Sequence, residues 1–77
     1  MSTKEKIEII KSEIIKVIGP IGKFMVEKQV DVLGHTEDNL PEDLLPVLID
    51  KVVDIGVYDI QMSKTIKHSL REKVGLE

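Results

Sequence analysis

Val17-Ile18-Gly19-Pro20-Ile21-Gly22-Lys23-Phe24 is the stretch that decides how this 77-residue chain folds. Glycine reaches the left-handed backbone conformation that ends helices. Proline cannot donate to a continuing helix but suits the first turn of a new one. The pair Gly19-Pro20 therefore predicts one helix ending and another beginning within two residues.

Upstream, Ile7, Ile10, Ile14 and Val17 recur at helical spacing, and Ile9, Ile15 and Ile18 widen the stripe. So many β-branched residues would suit a strand, but their period is 3.6 rather than 2. Ser2 with Glu5 three residues later forms a capping-box pattern, so a helix is predicted over about 3–18. Downstream, a helix over 20–33 ends at Gly34. Its apolar residues Ile21, Phe24, Met25, Val26, Val30, Val32 and Leu33 cover more than one face, which predicts the most buried of the helices.

The polar run His35-Thr36-Glu37-Asp38-Asn39 then connects to a third helix, capped by Asn39 or Asp43. Pro46 favours Asp43, because it then falls at the third helical position, where a missing N–H costs little. An irregular or 3₁₀ turn over Leu40–Asp43 and a helix over 43–55 follow, with Leu45, Leu48, Ile49, Val52 and Ile55 facing inward. Gly56 stops it, Asp59 caps a helix over 59–74, and Met62, Ile66, Leu70 and Val74 form its stripe. The expected fold is all-α: one domain over 1–77, a compact four-helix bundle of antiparallel or orthogonal helices, with saposin-like packing among the arrangements allowed.

Composition narrows the functions. Apolar residues make up 42% of the chain, enough for a core, and the absence of cysteine removes disulfides, thiolate metal sites and a cysteine nucleophile. No apolar run reaches a membrane span, and the start Met1-Ser2-Thr3-Lys4-Glu5-Lys6 lacks a signal-peptide core, so a cytoplasmic location without membrane association is expected. A net charge of −3 does not argue for a polyanionic partner.

Three constellations carry chemistry worth testing. Between Asp31 and Asp54 lie seven carboxylates against one lysine, and Glu37, Asp38, Glu42 and Asp43 could offer oxygen ligands to Ca²⁺. The EF-hand order, with its central glycine and closing glutamate, is missing, and acids near helix starts also complement the helix dipole. The last helix carries Lys64, Lys67, Arg71 and Lys73 with His68, a basic surface of the kind that meets nucleic acid or an acidic partner. No recognition helix or stacking aromatic accompanies it. Finally Phe24, Val32, Val57, Tyr58 and Ile60 exceed what one buried face needs, and form either a homodimer patch, a partner groove or more core.

Other patterns fall short. Gly19-Pro20-Ile21-Gly22-Lys23 lacks the spacing, the following Ser or Thr and the preceding strand of a phosphate loop. His35 and His68 belong to no metal motif, and Ser63 and Ser69 have no nucleophile context, so all four are expected at the surface. No acid, base and nucleophile converge, and an enzyme is not expected.

The run from Val17 to Val26, with Asp43-Leu44-Leu45 leading a later helix, resembles short helical modules of prokaryotic regulatory and signalling proteins that carry a Gly-Pro-x-x-Lys turn. That resemblance implies an interaction or output module. Here Gly22 stands where the pattern has alanine. The Ile, Lys and Glu bias fits an archaeal or thermophilic source. The expected function is a cytoplasmic protein-interaction or regulatory module using Phe24, Val57, Tyr58, Lys64, Lys67 and Arg71. Ca²⁺ binding at 37–43 and weak nucleic-acid binding are the alternatives.

Overall fold

The computed structural model describes residues 1–76. It contains helices α1 (Thr3–Ile18), α2 (Ile21–Val32), α3 (Leu45–Gly56) and α4 (Ile60–Lys73), with a 3₁₀ turn at Glu42–Leu44, and no strand among the described residues. The four-helix bundle read from the sequence is the fold observed.

Local chemistry sets most of the boundaries. The Ser2 hydroxyl accepts from the Glu5 N–H and the Glu5 carboxylate accepts from the Ser2 N–H, both at 3.1 Å, so the capping box starts α1 as expected. Gly19 ends it at φ +89°, a backbone region closed to residues with a Cβ, and its N–H bonds the Ile15 carbonyl. Asp59 caps α4 by accepting from the Met62 N–H at 2.8 Å. The start of α3 differs from expectation. Neither Asn39 nor Asp43 caps it; Leu44 is the N-cap residue, with Pro46 in the first turn. The 3₁₀ turn supplies the entry instead, and the Asn39 side chain accepts from the Thr36 N–H at 2.7 Å within the connector.

The helices form two antiparallel pairs. Ile14 meets Gly22 while Lys11 meets Glu27, so α1 and α2 run in opposite directions. Lys67 pairs with Asp54 at 2.6 Å and Arg71 with Asp50 at 2.7 Å, which sets α4 antiparallel to α3. Helix α3 touches the other three helices. One apolar core unites the bundle, built from Ile7, Ile10 and Ile14 of α1, Val26 and Val30 of α2, Leu45, Leu48, Ile49, Val52 and Val53 of α3, and Leu70 with Val74 at the end of α4.

This arrangement corrects several expectations. The most buried helix is α3, not α2, since α2 buries only Gly22, Val26 and Val30. On α3, Val53 takes the inward place expected of Ile55, which is 48% exposed. On α4, Met62 lies outside and Ser63 is buried in its stead. A repeat of four drifts by about 40° per step on a 3.6-residue helix, so 62, 66, 70 and 74 cannot all share one face. Val57, expected at the surface, is also buried. The chain is extended there, its N–H bonds the Val53 carbonyl, and its side chain turns into the core.

Candidate interaction surface

Helix α2 carries two apolar faces, and only one meets the core. Gly22, Val26 and Val30, spaced four apart, are buried. On the opposite side Ile21, Phe24 and Val32 are 63%, 64% and 56% exposed. Lys28 lies between them on the same exposed face, with Asp31 beside it, while Lys23 lies toward the cleft with α1. The stripe runs about 16 Å along the helix. The Lys23 ammonium lies 6.0 Å from the centre of the Phe24 ring, within cation–π range, so the ring keeps one cationic neighbour.

Close packing at Gly22 fixes which face points out. A Cβ there would stand 2.7 Å from Ile14 Cγ2 and 3.2 Å from the Ile14 and Ile15 backbone. Helix α2 thus crosses α1 so closely that a Cβ at this position would force a shift, which accounts for the glycine. At the same end of the bundle, Gly56 of α3 faces Ile18 and Met25, and Ile55, Tyr58, Ile60 and Met62 are exposed nearby in sequence. Tyr58 is the most exposed of them, at 90%. Of the apolar residues expected at an interface, Phe24 and Tyr58 are therefore available and Val57 is not.

The acidic segment is dispersed among lysines of α1. Glu37 pairs with Lys11, Asp38 with Lys4 at 2.8 Å, and Glu42 with Lys6. Among the described residues no three His, Asp or Glu side chains gather to hold a metal ion, so Glu37, Asp38, Glu42 and Asp43 do not form the expected cluster. The spacing of these acids was legible in the sequence. Their partners, some thirty residues away on α1, were not.

Lys11 was missed as a feature altogether. It is 8% exposed and faces Glu8, Glu27 and Glu37. Burial works against its charge, and the carboxylates, Glu37 foremost, outweigh that and leave its pKa raised. The Glu37 Oε1 is itself buried, and the Lys11 ammonium is its polar contact. Lys11 forms the floor of a shallow cleft between α1 and α2 with Glu8, Ser12, Ile15, Lys23 and Glu27. Glu8 and Glu27 both lie against Lys11 there, which describes a joint between elements.

The basic face of α4 is similarly spent within the molecule. Lys67 and Arg71 pair with α3, and Lys73 pairs with Glu13 of α1 at 2.8 Å. Lys64 alone of the expected set is exposed without an ion pair among the described residues. His68 lies 3.1 Å from Glu72. Between α1 and α4 a narrow groove of about 170 Å³ is floored by Val17, Ile66 and Leu70. No helix among the described residues is long and apolar enough to cross a membrane. No family model, curated protein or solved structure matches this chain.

Proposed function

We propose that this chain is a small protein-interaction or regulatory module that binds protein through the outer face of α2. One observation carries this reading: Ile21, Phe24 and Val32 expose apolar surface on the side of α2 opposite the core. Exposed apolar residues scattered singly are ordinary, but a stripe at helical spacing on one rigid helix is the usual form of a helix-recognition surface. Phe24, the only phenylalanine of the chain, is its natural anchor.

The rest of the surface supports the same choice. The acids Glu37, Asp38 and Glu42 and the cations Lys67, Arg71 and Lys73 of α4 are held in ion pairs within the molecule, which leaves less charge free for a metal or a polyanion. A cysteine-free chain suits the reducing cytoplasm, where such a module would act.

Affinity capture with the wild type and with Phe24→Glu tests the reading. A protein retained by the wild type and lost with the variant is expected, the variant keeping its helical circular dichroism because Phe24 lies outside the core. Equal retention by both would refute it.

A further inference from the structure

We infer that residues 35–43, between α2 and α3, form a strap that opens while the four helices stay folded, and that salt sets how often it opens. The inference does not rest on the outer face of α2, and its failure would leave that reading untouched.

The strap has few ties to the bundle. Its backbone bonds locally: the His35 N–H to the Val30 carbonyl at the end of α2, the Asn39 N–H to the Thr36 carbonyl, and the Leu44 N–H to the Pro41 carbonyl. Among the described residues no backbone hydrogen bond joins it to α1 or α4. Leu40 is its one buried side chain. The remaining ties are three ion pairs, all to α1: Asp38 with Lys4, Glu42 with Lys6 and Glu37 with Lys11.

A segment held by one apolar anchor and a few ion pairs lies at the low-stability end of a fold. Freeing it takes Leu40 alone out of the shared core, and the contacts of α3 with α1, α2 and α4 remain.

The ties answer differently to salt. Lys4 and Asp38 are both exposed and Glu42 is too, so their pairs are readily screened, whereas Lys11 and Glu37 are more enclosed. The Leu40 anchor is apolar and gains nothing from low salt. Opening also changes what α1 presents. Lys4 and Lys6 lose their carboxylate partners, while Lys11 keeps Glu8 and Glu27. The first turns of α1 thus gain two uncompensated cations each time the strap lifts.

The chain has no cysteine, so one introduced thiol reports opening at its own site. Leu40→Cys places a thiol at the anchor of the strap, and Val52→Cys places one in the fully buried part of α3. Alkylation by neutral iodoacetamide, with urea denaturation to confirm that both variants fold, compares the two. The Leu40→Cys thiol should react about 10-fold faster than that of Val52→Cys. Relative to Val52→Cys it should gain about 3-fold more between about 20 mM and about 0.5 M NaCl. Adding Asp38→Asn and Glu42→Gln to Leu40→Cys should bring the low-salt rate up to the high-salt one and remove the salt effect.

A common rate for both thiols would overturn the strap, since it would then open only with the whole fold. A strap rate indifferent to salt, or to Asp38→Asn with Glu42→Gln, would overturn the role of the ion pairs. The wild type supplies a second readout that needs no substitution at the anchor. A glutamate-specific protease should cut it after Glu37 or Glu42 sooner than after Glu13 or Glu27, and simultaneous cutting at all four would likewise overturn the strap.

Discussion

Gly22 and Ile14 press α2 onto α1 so closely that a methyl group on Gly22 would lie 2.7 Å from Ile14 Cγ2. This contact turns the Val26 and Val30 side of α2 inward and leaves Ile21, Phe24 and Val32 outside. Gly22→Ala should therefore lower stability by about 1–3 kcal/mol despite the better helix propensity of alanine. Gly56→Ala is the control. The atoms it would meet are the far ends of Ile18 and Met25, which can move aside, so a change within about 1 kcal/mol is expected. Urea denaturation of both variants checks the contrast, and equal losses would contradict the close crossing.

Lys11 joins α1 to α2 and to the 37–42 segment at once. Lys11→Met removes the cation and leaves Glu37 Oε1 buried without its partner, at an expected cost of about 2 kcal/mol, or on the order of 10 °C in Tm for a chain this small. Adding Glu37→Gln to that variant should recover part of the loss, since the orphaned charge is then gone. A double variant less stable than Lys11→Met would show that Glu37 has another role.

Stability should fall in acid. Hydrogen bonding from Ser2 holds Glu5 below the ordinary glutamate value of 4.5, Lys73 does the same for Glu13, and Lys6 for Glu42. A folded-state pKa below the unfolded one gives stability that is present above about pH 4.5 and is lost as pH falls through the lower folded values. Thermal melts should be level from about pH 5.5 to 7 and decline below about pH 4.5. All three carboxylates are exposed or half-exposed, so added salt should shrink the decline. For Lys11, whose pKa is raised, the sign is opposite: its contribution is complete below pH 10.5 and fades above it.

The paired cations of α4 should not hold nucleic acid. Anisotropy with labelled duplex DNA or single-stranded RNA at about 20 mM salt, where electrostatic binding is strongest, should show no saturable binding. Lys67 and Arg71 are engaged by Asp54 and Asp50, and the chain carries a net charge of −3. Saturable binding that is lost on Lys64→Glu would contradict this.

How much of this could be read from the residues depended on how local each cause was. The bounds of α1 were legible because Ser2, Glu5, Gly19 and Pro20 act within a turn of where they sit. The start of α3 was not, because the 3₁₀ turn replaced a side-chain cap and no single residue announces that. The two apolar faces of α2 were plain in the pattern. Which face met the core was decided by Gly22 against Ile14, a contact between helices. Val57 misled for a related reason, since its inward turn is set by extended backbone and a hydrogen bond to Val53 that no periodicity encodes. The apolar half of the candidate surface, Phe24 and Tyr58, was therefore visible. The charged half dissolved once the partners of Lys67 and Arg71 were known.

The most direct test of α2 as the binding face is affinity capture compared across the wild type, Phe24→Glu on α2 and Lys64→Glu on α4, each checked for helical circular dichroism. A protein held by the wild type and by Lys64→Glu but lost with Phe24→Glu is expected. Equal capture by all three, or loss with Lys64→Glu alone, would contradict it.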